Sequence, residues 1–148
     1  MGKQDGKKTV VIIAEDDPDD RLLIKDALRE AVQSVEVRFV QDGAEMLDYL
    51  YHRGKYQEMG NTPLPELVLL DLNMPKKSGL EVLEEIKGDP ALRTIPVVVL
   101  TTSRAPEHVS RSYELGGNGY ITKPNTYSEL VELMANLDRY WFRTVELP

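Results

Sequence analysis

Short runs of unbroken apolar residues alternate along this chain with longer stretches in which apolar residues return every three or four positions. Thr9-Val10-Val11-Ile12-Ile13-Ala14, Leu67-Val68-Leu69-Leu70 and Val97-Val98-Val99-Leu100 are short and largely β-branched, which predicts strands. Strands are expected near 9–15, 35–40, 66–71, 95–101 and 118–122, and helices near 18–32, 43–53, 79–88, 107–116 and 127–142. The stretch 95–101 has no polar face, as expected of a strand covered by helices on both sides. Strand and helix alternating in this way predict an α/β fold, a five-stranded doubly wound parallel sheet.

Helix punctuation agrees with these boundaries. Asp42 with Glu45, and Thr126 with Glu129, have capping-box spacing; Pro18 and Pro106 open helices, and Gly88 and Gly116 follow helix ends. Glycines 116, 117 and 119 suit a tight helix-to-strand turn. In the last helix Leu130, Leu133, Met134, Leu137 and Trp141 share one face, a stripe for a core or an interface. Residues 53–65, with Gly54, Gly60, Asn61, Pro63 and Pro65, read as an extended loop. The expected organisation is a flexible lead over 1–8, one domain over 9–142 and an extension over 143–148.

Composition narrows the classes of function. With 148 residues, 41% of them hydrophobic and 29% charged, the chain suits one globular domain. A net charge of −7 without a basic block argues against nucleic acid or an anionic membrane as partner. The absence of cysteine excludes disulfides and thiolate metal sites, and His52 and His108, far apart, read as surface helix residues. The amino-terminal residues lack an apolar signal core and no stretch reaches membrane-spanning length, so a cytoplasmic protein is expected.

The candidate chemistry lies where strands end. Glu15-Asp16-Asp17 follows the first strand and Asp71 the third, so four carboxylates converge if those strands are neighbours. Strand carboxyl ends are where open α/β sheets bind ligands, and packed carboxylates repel unless a cation or a reaction employs them. The bland alternative is that Asp16 and Asp17 cap the helix at Pro18. Thr101-Thr102-Ser103 brings hydroxyls to the same edge, able to donate to an anionic oxygen or merely to cap a helix. Lys123 ends the fifth strand, where its ammonium can pair with Asp71 or with a phosphoryl group placed on it. The bond from Lys123 to Pro124 is a candidate cis peptide that would aim the lysine.

Together these positions resemble the receiver domain of two-component response regulators, from Val10 to about Tyr140. The landmarks are Glu15-Asp16-Asp17, Asp71-Leu-Asn-Met-Pro-Lys-Lys-Ser-Gly, Leu100-Thr101-Thr102-Ser103 and Gly119-Tyr120-Ile-Thr-Lys123-Pro124, all in register. The resemblance implies a flavodoxin-like (βα)5 receiver fold in which Asp71 accepts a phosphoryl group from the phosphohistidine of a sensor histidine kinase. It implies Mg²⁺ held by Asp17, Asp71 and the Asn73 backbone carbonyl, with Asp16 acting through a water. Thr101 and Lys123 would bind the phosphoryl oxygens, and Thr101 and Tyr120 would switch the face built on the fourth and fifth strands. Mg²⁺-dependent self-phosphorylation and autodephosphorylation are implied, with no dedicated substrate turnover. Since the acids repel without metal, Asp17→Ala is expected to stabilise the metal-free protein while weakening Mg²⁺ binding.

After the last helix the sequence continues only through Phe142 to Pro148, so no output domain is expected and the signal would pass to a downstream protein target through the domain's surface. The stretch from Asp71 into Glu81-Val-Leu-Glu-Glu-Ile-Lys and the ending Tyr140-Trp-Phe-Arg-Thr-Val-Glu-Leu-Pro resemble stand-alone regulators that partner phytochrome-type kinases. In such regulators the extension is associated with homodimers, and aromatic side chains are common interface anchors. Other classes fit less well. A dehalogenase-type hydrolase wants a second Asp where Asn73 stands, and a flavin site would be repelled by Glu-Asp-Asp after the first strand. A receiver-like protein-binding module that is not phosphorylated is the remaining alternative.

Overall fold

The computed structural model describes residues 9–32, 35–60 and 62–148; the expected flexible lead, 1–8, and Asn61 of the expected loop lie outside them. The elements run β1 (Thr9–Ala14), α1 (Pro18–Ala31), β2 (Val35–Val40), α2 (Gly43–Tyr51), β3 (Leu67–Leu70), α3 (Gly79–Gly88), β4 (Val97–Thr101), α4 (Pro106–Glu114), β5 (Gly119–Thr122) and α5 (Tyr127–Leu137). The strands form one parallel sheet in the order β2-β1-β3-β4-β5.

Side-chain alternation divides the core between the two faces of the sheet. Ile12, Ala14, Val68 and Leu70 pack with Met46, Leu47 and Leu50 of α2 and Val82, Leu83 and Ile86 of α3. Val11, Ile13, Leu67, Leu69, Val98 and Leu100 pack with Ile24, Ala27 and Leu28 of α1 and Leu130, Met134 and Leu137 of α5. Both faces are therefore covered, which is why these strands are apolar throughout rather than alternating. The register pairs Ala14 with Leu70 and Thr101 with Thr122, so the residues that follow emerge together at one edge.

Several boundaries differ from the sequence expectation for local reasons. The helix expected over 43–53 stops at Tyr51 because His52 turns left-handed, with φ 55°. Gly88 is the last residue of α3 and does not follow it. The extended loop expected after residue 53 contains a 3-10 turn, Gly54–Met59. That turn is pinned where Tyr56 meets Tyr49 edge-on at 5.1 Å and donates its hydroxyl to Glu45 at 2.5 Å. Glu45 thus serves the turn and the Gln41 N–H, while its own N–H goes to the capping Asp42 carboxylate at 2.8 Å. The last helix ends at Leu137 and continues as a wider turn, Asp138–Phe142. Its stripe is core: Leu130, Met134 and Leu137 are buried, with Leu133 and Trp141 half-buried against the same cluster.

Candidate functional site

Neighbouring strands β1 and β3 bring their terminal acids together. The Asp71 N–H donates to the Ala14 carbonyl at 3.3 Å, and the Glu15 N–H to the Val40 carbonyl at 3.0 Å. Carboxylate oxygens of Glu15, Asp16 and Asp71 lie within 4.8 Å of one another. Glu15 and Asp71 are buried, at 2% and 6% exposure, whereas Asp16 is open to solvent.

Asp17 is not part of this group. Pro18 starts α1, which makes Asp17 the last extended residue, and its carboxylate accepts the Asp19 N–H at 2.9 Å. The sequence expectation that Asp17 is a principal metal ligand, with Asp16 behind a water, therefore meets a different arrangement, in which Asp17 caps the helix. Glu15 takes the inner place because it directly continues buried β1.

Both oxygens of Asp71 are held. Oδ1 accepts the Thr101 hydroxyl at 2.8 Å and the Asn73 N–H at 3.1 Å; Oδ2 faces Lys123 Nζ at 3.1 Å. Lys123 also bonds Glu15 and lies 3.3 Å from Asp20 Oδ2. The Lys123 N–H donates to the Thr101 carbonyl at 2.8 Å, which extends the β4–β5 ladder to the lysine itself. Among the described residues there is no cis peptide, so the bond before Pro124, a candidate for one, is trans. Carboxylates, not the proline, aim the lysine.

Charge and burial oppose each other here. Burial pulls the Lys123 amine down, but hydrogen bonds and charge from Glu15 and Asp71 outweigh it, leaving the ammonium raised above its ordinary range. Burial pushes the Glu15 carboxyl up, the Lys123 hydrogen bond and charge oppose it, and the Asp71 charge adds to the rise. Among the described residues no buried side-chain polar atom lacks a hydrogen-bond partner.

The loop after Asp71 is drawn tight beneath it. Lys77 N–H donates to the Pro75 carbonyl at 2.7 Å across Lys76, whose φ is +69°. Ser78 caps α3 in a full capping box with Glu81, and the Gly79 N–H donates to the Leu72 carbonyl at 3.0 Å. A Cβ on Gly79 would overlap the Asp71 carbonyl oxygen and lie 2.7 Å from Leu72 Cα, so only glycine permits this approach.

Thr101 is fully buried, and Tyr120, half-buried, donates its hydroxyl to the Ser103 carbonyl at 2.9 Å. The sequence reading missed Asp20, the close approach of Gly79 to Asp71 and the pairing of Glu15 with Lys123. The glycine signal was available, since Ser78 and Glu81 carry capping-box spacing around it. His108, expected at the surface, is half-buried with Nδ1 2.6 Å from Ser103 Oγ.

The model of the response regulator receiver domain matches residues 11–135. The response regulator Rcp1 of Synechocystis sp. is 39% identical over 148 residues, covering 100% of this chain and 99% of that protein. The crystal structure of the phosphorylated cyanobacterial phytochrome response regulator RcpA superposes with a TM-score of 0.87 at 42% identity, covering 95% of this chain and 99% of the other. The Mn²⁺-bound form of Rcp1 gives 0.85 at 41% identity with coverage of 95% and 99%.

Proposed function

The chain belongs to the response regulator receiver family, and on that premise we propose that it is a stand-alone regulator that accepts a phosphoryl group on Asp71 from a sensor histidine kinase. Residues 9–142 form the receiver unit in this reading, with 143–148 as its extension. The observation that carries it is the Asp71 carboxylate, held by Thr101 and Asn73 on one oxygen and by Lys123 on the other, beside two further acids.

In the reaction an Asp71 oxygen bonds to phosphorus as the phosphorus–nitrogen bond of the kinase phosphohistidine breaks, its electron pair returning to the imidazole. The hydrogen bonds at Asp71 fix the carboxylate's orientation beforehand, which removes part of the entropic cost of the encounter. Lys123 and Thr101 are close enough to pass from the carboxylate to the incoming phosphoryl oxygens. Tyr120 and Thr101, on adjacent strands, convey the change to the surface of β4, α4, β5 and α5, where a downstream protein would read it.

The donor set fits a hard divalent cation: it offers oxygen only, from acids that would otherwise repel. We assign Mg²⁺ to Asp16, Asp71 and the Asn73 backbone carbonyl, with Glu15 beside them and Asp17 kept for the cap. Bound there, the cation would offset the negative charge shared by carboxylate and phosphoryl group.

The similarity to RcpA and Rcp1 supports a phytochrome-type kinase as donor. Tyr140, 54% exposed and edge-on to Trp141 at 5.2 Å, supports a homodimer anchored at the carboxyl end. Among the described residues no helix is long and apolar enough to cross a membrane; the setting proposed here is the cytoplasm.

Intact mass after incubation with acetyl phosphate, with and without Mg²⁺, tests the proposal in wild type and Asp71→Asn. One added phosphoryl group that requires both Mg²⁺ and Asp71 is expected. No addition to wild type, with Mg²⁺ binding demonstrated, would leave a protein-binding module that is not phosphorylated.

A further inference from the structure

The turn between β4 and α4 is tied from two sides by groups that phosphoryl acceptance leaves unused. Ser103 Oγ lies 2.6 Å from His108 Nδ1, in the first turn of α4, and accepts the Ala105 N–H at 3.3 Å. The carbonyl of the same serine accepts the Tyr120 hydroxyl at 2.9 Å. Ser103 stands two positions after Thr101, whose hydroxyl is on Asp71. A chain of contacts therefore runs from α4 through one serine to the aromatic ring on β5.

Little else fixes α4. Of the described residues in this helix, Ser112 alone is buried, and its hydroxyl donates back to the His108 carbonyl at 2.8 Å. A short helix that buries so little gains little from packing, so polar tethers at its start weigh heavily in where it sits. The Ser103 hydroxyl has one hydrogen to give and two lone pairs. With Ala105 on one lone pair and the imidazole opposite, both the side chain and the turn behind it are pinned, and the carbonyl points to Tyr120.

We infer that His108 is a positioning residue: by holding Ser103 it keeps the Ser103 carbonyl within reach of the Tyr120 hydroxyl and so sets the balance between the held and released positions of that ring. This deepens the reading above and rests on it, because Tyr120 carries the signal only if Asp71 takes the phosphoryl group. On the same reading an occupied Asp71 favours the held ring, so by reciprocity its ligand binds more weakly when the holding contact is lost.

The test uses the full chain labelled with 3-fluorotyrosine. Its seven tyrosines give separate fluorine resonances, and Tyr120→Phe identifies the relevant one. Beryllofluoride with Mg²⁺ serves as the phosphoryl mimic. His108→Leu is expected to shift the Tyr120 resonance in the free protein and to weaken beryllofluoride about fivefold, the ratio matching one ordinary net hydrogen bond. Ser103→Ala should do the same, guarding against a folding defect peculiar to the leucine. His108→Asn should restore both readouts, since its amide replaces the Nδ1 contact while lacking the ring's bulk and ring current. Wild-type behaviour in His108→Leu, or failure of asparagine to rescue, overturns the inference. Failure of beryllofluoride to bind wild type would instead overturn the Asp71 reading, with the Tyr120 resonance of the free protein still deciding the role of His108.

Discussion

Lys123 Nζ lies 3.1 Å from Asp71 Oδ2 while also bonding Glu15, so a single ammonium serves two carboxylates buried at the ends of neighbouring strands. Removing one partner of a buried ionic group leaves the others uncompensated, which costs about 3–5 kcal/mol. Lys123→Met is therefore expected to lose about that much stability without metal, with protonation of Glu15 limiting the loss. Mg²⁺ bound as proposed would supply the missing positive charge and is expected to recover part of the lost stability. Urea melts of both proteins with and without Mg²⁺ decide the matter, and a variant as stable as wild type without metal would refute the pairing.

Asp17→Ala separates capping from metal binding. Repulsion among strand-end acids suggested that this change stabilises the metal-free protein, but the carboxylate accepts the Asp19 N–H at the start of α1. Loss of an N-cap costs about 1 kcal/mol, so the sign reverses and the variant is expected to be less stable by about that amount. Mg²⁺ affinity stays near wild type in Asp17→Ala and falls in Asp16→Ala. Calorimetric titration of Mg²⁺ into both variants checks this, and a larger loss in Asp17→Ala would restore the original assignment.

Legibility in the sequence followed the strength of the physical signal. Apolar runs such as Leu67-Val68-Leu69-Leu70 admit little but a strand covered on both sides, so the sheet and the convergence of Asp71 with the first acids could be read directly. Which acid faces inward was not legible in the same way. A one-residue shift at a strand end turns a side chain from the site to solvent, and three consecutive acids give no periodicity to fix the phase. The turn at 54–59 was hidden because its order comes from Tyr56 reaching Glu45, a contact between a helix and a stretch otherwise rich in glycine and proline. His108 was misplaced for a similar reason, its partner being a serine in the preceding turn rather than a hydrophobic neighbour.

Gly79→Ala tests how closely α3 approaches Asp71. A methyl group there overlaps the Asp71 carbonyl oxygen and sits 2.7 Å from Leu72 Cα, both backbone atoms that cannot rotate away. Overpacking of this kind costs about 1–3 kcal/mol. The loop must also shift at Asp71, so phosphoryl transfer from acetyl phosphate should slow while secondary structure is retained. Thermal melts and single-turnover labelling measure the two effects, and an alanine variant equal to wild type in both would show that the loop is looser than described.

Tyr51 and Asp89 form a pair with a defined pH signature. The Tyr51 hydroxyl donates to Asp89 Oδ2 at 2.5 Å, and that bond, with lesser help from burial and the Asp89 charge, pushes the phenol from 10.0 up to about 12. The same bond holds the Asp89 carboxyl below its ordinary 3.8. Because the folded protein keeps the phenol proton more tightly than the unfolded chain, this stabilisation is complete below pH 10.0 and is lost as the pH rises through about 12. At the acid end the order inverts: the contribution of Asp89 is complete above pH 3.8 and lost as the pH falls below it. Other groups titrate in both ranges, so the comparison is with Tyr51→Phe, which keeps the ring beneath the Arg53 guanidinium, 4.7 Å from its centroid, but lacks the hydroxyl. Wild type should melt above the variant at about pH 8, with the gap closing toward pH 12. A gap independent of pH would mean that the hydroxyl contributes through packing alone and that the bond to Asp89 does not govern its ionisation.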